Sequence, residues 1–127
     1  MSAPPRAILK SVAPQLVVSD AVAAAEYYRD RLGFEILGYF GEPPVYAIVR
    51  RDGVEVHFGK AETSGVSNTA ARPGSFDLYI WVSDIDALTA ELAAAGVEIV
   101  EGPVKRIYGS TEVVVRDGEG YTLVFAV

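Results

Sequence analysis

The chain has 127 residues, half of them hydrophobic and 22% charged, which is ordinary for one soluble globular domain. A formal net charge of −6 argues against a nucleic-acid partner, which needs a basic surface, and weakly favours a cationic or neutral small ligand. Cysteine is absent, which excludes disulfides and thiolate chemistry. The N-terminus lacks the apolar core of a signal peptide, and no apolar run is long enough to span a membrane, so a cytoplasmic protein is expected.

The first half of the chain predicts a strand, a helix and three further strands. Residues 14–18 are apolar and β-branched, which predicts the first strand, and Ser19 and Asp20 supply an N-cap for a helix over 21–32. Gly33 ends that helix. Strands are predicted over 34–40, 45–50 and 54–59, and the last two are joined by an Asp-Gly hairpin turn.

The same order of elements returns after a polar linker over 60–74. A strand is predicted over 76–82, and a helix over 85–95 follows a second Ser-Asp cap and stops at Gly96. The remaining strands are predicted over 97–100, 111–116 and 121–127, with an irregular stretch at Gly102 and Pro103.

The chain therefore contains one long internal repeat. The sequence LVVSD at 16–20 returns as IWVSD at 80–84, and each copy later reaches an Arg-Asp-Gly turn, at 51–53 and at 116–118. A repeat of this length is too long for a solenoid unit. It predicts a single α+β domain of two tandem βαβββ modules, at about 13–59 and 75–127, whose curved mixed sheets surround a concave cleft.

Strand alternation predicts which side chains face away from the helices. In the fifth strand Leu78, Ile80 and Val82 form the helix side, which leaves Asp77, Tyr79 and Trp81 on the opposite face. The fourth strand leaves Glu55 and His57 on that face, and the last strand leaves Thr122, Val124 and Ala126. This mixture of polar, aromatic and small side chains suits a wet concave pocket better than a core.

Several of these side chains are candidate ligand contacts. Tyr79 and Trp81 could stack on a planar or cationic ligand, although β-propensity alone would also place aromatic residues there. His57, the only histidine, could bind a ligand with Glu55, or it could be a partly exposed or hydrogen-bonded core residue. Asp77 could contact ligand or simply end a strand beside the linker.

Two further candidates lie outside these strands, and no catalytic residue is assigned. Of Tyr39 and Phe40, at the end of the second strand, one is expected to be structural and the other at the pocket rim; Tyr39 is the candidate. Tyr108 is a candidate in the loop before residue 111. Nothing in the sequence resembles a nucleophile with its base or a phosphate-binding glycine loop.

The two ends of the pattern resemble the glyoxalase, bleomycin-resistance and extradiol-dioxygenase superfamily, also called vicinal oxygen chelate proteins. Residues 16–20, 27–30 and 32–34 resemble its opening signature, and 108–109, Glu112 and 116–121 resemble its closing signature. The likeness covers 14–127, although the family's Asp-Pro-x-Gly turn is Asp-Gly-Glu-Gly here. The resemblance implies that the loop of Tyr108 covers the pocket. It also implies that modules pair within or between chains, so that a two-fold homodimer is expected.

The resemblance further implies where a metal would bind. Family members hold a divalent metal through one residue, usually His or Glu, on each of the first, fourth, fifth and eighth strands. By spacing these positions fall on Ala13, His57, Asp77 and Val124. Alanine and valine cannot coordinate a metal, and the remaining pair is short of the three protein ligands of a usual catalytic site. We therefore expect no metal and no cofactor.

The sequence favours a non-catalytic protein that sequesters a small aromatic or cationic molecule, similar to bleomycin-resistance proteins and with antibiotic resistance as the implied role. Two alternatives remain from other classes. One is an enzyme, either a lyase, isomerase or dioxygenase-like protein with an atypical metal shell or a metal-free one with His57 as general base. The other is a structural or regulatory dimer with a vestigial cavity.

Overall fold

The two copies of the repeat form two separate four-stranded sheets. The structure, a computed structural model, describes residues 2–127. The elements in chain order are β1 (Gln15–Val18), α1 (Ala21–Leu32), β2 (Glu35–Phe40), β3 (Tyr46–Arg51), β4 (Val54–Lys60), α2 (Asn68–Ala71), β5 (Leu78–Trp81), α3 (Ile85–Ala94), β6 (Glu98–Lys105), β7 (Thr111–Arg116) and β8 (Thr122–Ala126). The strand orders are β1-β4-β3-β2 and β5-β8-β7-β6.

The two sheets share one topology. The first strand of each module runs parallel to the last, with Gln15 opposite His57 in one sheet and Tyr79 opposite Val124 in the other. The remaining pairs are antiparallel. The predicted α+β fold of two βαβββ modules is confirmed. Among residues 2–127, no helix is both long and apolar enough to cross a membrane.

Both long helices begin at the predicted caps. Asp20 Oδ1 accepts from the backbone N–H of Ala23, and Asp84 Oδ1 accepts from that of Ala87, each at 3.0 Å. Such a cap satisfies one of the N–H groups that a helix leaves free at its start. Gly33 ends α1 with φ of 74°, a left-handed conformation that favours glycine.

The core lies between the helices and the inner face of each sheet. Tyr28 of α1 packs edge-on against Phe58 of β4, with ring centroids 4.9 Å apart. In module two, Leu92 of α3 and Leu123 of β8 are almost fully buried. Burying side chains of this size stabilises a fold by about 1.5–3 kcal/mol each. One continuous core therefore joins the two modules.

Specific polar contacts also hold the modules together. The Tyr28 hydroxyl donates to Asp117 Oδ2 at 2.8 Å, from α1 to the β7–β8 turn. Asp117 Oδ1 also accepts from the backbone N–H groups of Glu119 and Tyr121, both at 2.9 Å. Burial raises the pKa of Asp117, and these hydrogen bonds oppose that effect. The Tyr121 hydroxyl in turn donates to the carbonyl of Val17 at 2.5 Å.

Three local features differ from the prediction. A short helix, α2, lies in the predicted linker, capped by the Ser67 hydroxyl. Strand β6 runs through Gly102 and Pro103 to Lys105 instead of ending at 100, with register shifts where it passes them. Strand β2 carries a register shift between Ile36 and Gly38, which changes the facing of its last residues.

Candidate functional site

The predicted alternation in β5 is confirmed by burial. Leu78 and Ile80 lie in the core at 8% and 9% exposure. Tyr79 is half-buried on the opposite face, and Trp81 at the end of the strand is 67% exposed. Both aromatic rings are therefore outside the helix-packed layer.

A cleft of about 410 Å³ lies on the open face of the module-two sheet. Tyr79 and Tyr108 line it, together with Phe76 from the segment before β5. Val114 and Val124 supply apolar surface from β7 and β8. The size and mixed lining are typical of a small-molecule site.

A buried carboxylate, Glu112 of β7, organises the polar groups of this cleft. Its Oε2 accepts hydrogen bonds from the hydroxyls of Tyr79 at 2.6 Å, Tyr108 at 2.8 Å and Ser110 at 3.1 Å. Its Oε1 accepts from Arg106 Nε at 2.8 Å. Glu112 is only 3% exposed. We call these five residues the Glu112 cluster.

The ionisation of the Glu112 cluster follows from these contacts. Burial raises the pKa of Glu112, but the hydrogen bonds from Tyr79, Arg106, Tyr108 and Ser110 outweigh it and hold the pKa at about 2. The same bonds to Glu112 raise the pKa of both Tyr79 and Tyr108. At neutral pH the cluster therefore contains an ionised carboxylate and two neutral phenols.

Arg106 extends the cluster towards solvent. Its Nη2 and Nη1 donate to the two carboxylate oxygens of Glu101 at 2.7 and 3.3 Å. The hydrogen bonds to Glu101 and Glu112 raise the pKa of Arg106. Because one guanidinium faces two carboxylates, these three side chains together carry a net negative charge.

Aromatic rings form a continuous row along this face. Phe76 and Tyr79 have centroids 5.3 Å apart, and Tyr79 and Trp81 are 5.1 Å apart in an edge-to-face arrangement. Trp81 borders the gap between the modules rather than the Glu112 cleft. A ligand near Tyr79 would therefore change the environment of Trp81 through the ring contact between them.

His57 belongs to a separate chain of polar groups on the module-one sheet. Its Nε2 lies 2.7 Å from Glu55 Oε2, and its Nδ1 lies 2.7 Å from the Tyr46 hydroxyl. The Tyr46 hydroxyl also accepts from Gln15 Nε2 at 3.2 Å. Both ring nitrogens of His57 thus have partners within the protein.

A second cleft, of about 460 Å³, lies between β4 and β5. It brings together Glu55, Asp77, Tyr79 and Trp81, four of the seven predicted contacts. Tyr79 lines this cleft and the Glu112 cleft, so the two are contiguous at that residue.

Asp77 lines the second cleft, but its carboxylate is bound by other parts of the protein. Asp77 accepts from the Ser67 hydroxyl at 2.5 Å and from the backbone N–H groups of Asn68 and Thr122 at 2.7 and 2.8 Å. The Asp77 carboxylate thus links α2 to the start of β8, which is a structural role.

The facing of Tyr39 corrects the prediction for the end of β2. Tyr39 pairs with buried Ala47, and directly opposite residues share a face, so it lies on the helix side. Phe40 pairs with Tyr46 on the open face, with ring centroids 6.3 Å apart. The register shift after Ile36 causes this exchange, and Phe40 takes the rim position.

Comparison with known proteins identifies the family. A family model of the glyoxalase/bleomycin resistance protein/dioxygenase superfamily matches residues 8–125. The chain belongs to this superfamily. Virulence protein STM3117 of Salmonella typhimurium is 30% identical over 109 residues, which cover 83% of this chain and 74% of that protein.

Solved structures agree with this assignment. The crystal structure of STM3117 superposes with a TM-score of 0.69 at 27% identity, over 95% of this chain and 98% of the other. TioX from Micromonospora sp. ML1 gives 0.74 at 25% identity, over 92% and 97%. A bleomycin-binding protein in complex with bleomycin gives 0.73 at 19% identity, over 93% and 98%, a likeness of fold alone.

The residues at the superfamily's metal positions do not fit a metal. Ala13 and Val124 have no donor atoms, the Asp77 oxygens accept from three protein groups, and both nitrogens of His57 have protein partners. Within residues 2–127, no three His, Cys, Asp or Glu side chains come together as a possible metal site.

The sequence analysis did not select Glu112, Arg106 or Tyr46 for the site. Alternation would have placed Glu112, since Val113 and Val115 of β7 are plainly core residues and leave Glu112, Val114 and Arg116 opposite. The same pattern in β3, where Ala47 and Val49 are buried, places Tyr46 on the open face. Arg106 lies in a loop and carries no comparable signal.

Proposed function

We propose that this protein sequesters a small aromatic or cationic molecule on the open face of module two, without a metal and without chemistry. The observation that carries the proposal is the Glu112 cluster within an aromatic cleft. The hydroxyls of Tyr79, Tyr108 and Ser110 all donate to Glu112, so they are held in place rather than poised to react. A carboxylate with a pKa of about 2 is also a poor general base at neutral pH.

The geometry supports stacking and hydrogen bonding to a ligand. Tyr108 is 69% exposed, and its hydroxyl is fixed by Glu112, so its ring is available at the mouth of the cleft. A phenol that donates to a carboxylate still has an oxygen lone pair for a ligand N–H. Glu55 and Trp81 would contact parts of the ligand that reach the second cleft, and His57 would act through Glu55.

Trp81 fluorescence tests this proposal directly, because it is the only tryptophan. A screen of aromatic and cationic compounds, including bleomycin-type glycopeptides, should find some that change its emission saturably. Tyr108→Ala should lower the affinity for such a compound by up to about tenfold, as expected for loss of one stacking contact. Tyr39→Ala, on the helix side, is the matched control and should leave affinity unchanged. Equal affinity in the two variants would reject the site.

An enzyme is the second candidate, and the hydrogen-bonded row Tyr46–His57–Glu55 favours it. A histidine held between a carboxylate and a phenol is a common arrangement for proton transfer. We expect protein purified without chelator to contain far less than one divalent metal per chain by elemental analysis. A stoichiometric metal that is lost on His57→Ala would instead support a metal enzyme.

We also propose that two copies of the chain form a two-fold dimer. Each sheet leaves one face open, with large apolar side chains exposed on or beside it; these include Phe40, Val45, Trp81 and Tyr108. Pairing of modules between chains would cover such surfaces. Equilibrium sedimentation at micromolar concentration should report twice the chain mass, whereas a monomer there would contradict the proposal.

A further inference from the structure

We propose that two copies of this chain exchange their N-terminal arms, residues 2–13, and that each arm lies along the open edge of strand β5 in the other copy. The inference rests on the dimer proposed above and names the segment that forms it. The arm contains neither helix nor strand, and all of its residues are exposed. Its large apolar side chains are almost fully open, with Ile8 at 84%, Leu9 at 95% and Val12 at 85%. Three such side chains within five residues indicate a segment that packs on another surface.

Strand β5 is an edge strand whose outer side faces the second cleft. It pairs with β8 alone, and Leu78–Trp81 all line that cleft. Just after β5, the Val82 N–H donates to the Ala126 carbonyl of β8 at 2.8 Å. Because successive residues of a strand direct their N–H and C=O groups to opposite sides, those of Trp81 point away from β8. An open edge of this kind accepts an added strand.

The internal repeat shows how the equivalent edge in module one is closed. Val17 of β1 is the counterpart of Trp81, since LVVSD and IWVSD are equivalent. The Val17 carbonyl accepts from the Gly65 N–H at 2.8 Å and from the Tyr121 hydroxyl at 2.5 Å. A backbone segment from the linker and a side chain from module two therefore cover the edge of β1.

These two contacts have no equivalent at the edge of β5. The register of the two sheets makes Phe58 equivalent to Phe125, so Val54 is the counterpart of Tyr121 and has no hydroxyl to donate. Among the backbone contacts that residues 2–127 make outside their helices and strands, none reaches the Trp81 carbonyl. The cleft of about 460 Å³ beside this edge is the space that a further backbone segment would fill.

The arm of a second copy fits this edge in position and length. Val12 and Pro14 line the cleft, whereas residues 2–11 do not, so each arm leaves its own chain at the mouth of the cleft. A two-fold axis beside the cleft would therefore carry each arm to the cleft of the other copy. Residues 6–11 span at most about 22 Å when extended, against about 13 Å for the four residues of β5.

The charge of the arm also favours a second copy of this acidic protein. Arg6 and Lys10 lie in the arm, and none of the chain's 17 acidic residues does. A cationic segment is attracted to a chain whose net charge is −6. A ligand of the Glu112 cleft that extends past Tyr79 would then contact the exchanged arm as well as Trp81, so the second copy would contribute to the site.

Removal of the arm tests its role in the dimer. A variant that lacks residues 2–11 should keep its fold, because these residues are exposed, and should sediment as a monomer at micromolar concentration. Leu9→Asp should raise the dimer dissociation constant at least about tenfold, since it loses the burial of one leucine. Val66→Asp is the matched control, because Val66 is 78% exposed but lies beside the covered edge of β1.

The outcomes separate this inference from the proposals on which it rests. A variant without residues 2–11 that remains a dimer would overturn the arm exchange and leave the dimer and the ligand cleft standing. A full chain that sediments as a monomer would reject the dimer and the arm exchange together.

Hydrogen–deuterium exchange followed by NMR locates the arm. The amide hydrogens of Tyr79 and Trp81 should exchange at least about tenfold more slowly in the full chain than in the variant without residues 2–11, because an added strand accepts from this edge. Those of Val113 and Val115 should not change, since β7 lies inside its sheet. Unchanged exchange at Tyr79 and Trp81 would place the arm elsewhere and reject the proposal. Slower exchange in a full chain whose mass equals that of the variant would mean that each arm covers its own chain, which would reject exchange between copies.

Discussion

Asp117→Ala is expected to lower the free energy of unfolding by about 3–5 kcal/mol. Asp117 is 6% exposed and accepts hydrogen bonds from the Tyr28 hydroxyl and from two backbone N–H groups. Alanine leaves all three donors without their partner, and a buried donor without a partner costs about 1–3 kcal/mol. Because Tyr28 lies in α1, the loss also weakens the contact between the modules. Urea unfolding followed by circular dichroism measures the change.

The internal repeat supplies the matched control. Asp52 occupies the corresponding Arg-Asp-Gly turn of module one, but its side chain is 93% exposed. Asp52→Asn should therefore change the free energy of unfolding very little. If Asp117→Ala is also well tolerated, the Tyr28–Asp117 contact does not stabilise the fold.

The repeat explains why the fold could be predicted from the sequence. Two caps, Ser19-Asp20 and Ser83-Asp84, each begin a helix, and each helix starts at the predicted residue. Each capping interaction joins residues within one helical turn, so a local sequence pattern is enough to predict it. Alternation in β5 is equally local, and Tyr79 and Trp81 face as predicted.

The same repeat does not predict where the two copies have diverged. Asp52 and Asp117 occupy equivalent turns, yet only Asp117 is buried, because only α1 presents a tyrosine hydroxyl to it. The contact joins residues 89 positions apart. Such a pairing depends on how the modules pack, which no local pattern contains.

The candidate site was predicted only in part for two physical reasons. A register shift of one residue in β2 exchanges the faces of Tyr39 and Phe40. Gly38, a glycine inside the strand, is its only signal in the sequence, and it does not fix the position of the shift. The Glu112 cluster draws on β5, β7 and the loop between β6 and β7, so its residues converge only in the folded sheet. Alternation placed Tyr79 on the open face and could have placed Glu112 there, but it gives no information on the loop residues Arg106, Tyr108 and Ser110.

Glu112→Gln is expected to lower the free energy of unfolding by about 2–4 kcal/mol at pH 7. An amide offers one acceptor atom where the carboxylate offers two, and its NH₂ group must face either Arg106 or the hydroxyls of Tyr79, Tyr108 and Ser110. All of these are donors in the wild-type protein. The variant should also loosen Tyr108, and with it the affinity for any ligand of the cleft. Urea unfolding and the fluorescence titration measure the two effects.

The difference in unfolding free energy between wild type and Glu112→Gln should depend on pH, which provides an independent check of the Glu112 cluster. The pKa of Glu112 is about 2 in the folded protein against 4.5 for an ordinary glutamate. At pH values above the ordinary pKa, ionised Glu112 therefore contributes roughly 3 kcal/mol to the free energy of unfolding. A depressed folded pKa means that this stability is present above about pH 5 and is lost as the pH falls through 2. The gap in unfolding free energy between wild type and Glu112→Gln should therefore shrink from pH 5 to pH 2. Glu101→Gln is the control, since Glu101 is exposed and pairs with the same Arg106. A gap that stays constant over this range would mean that Glu112 is not held ionised by its four donors.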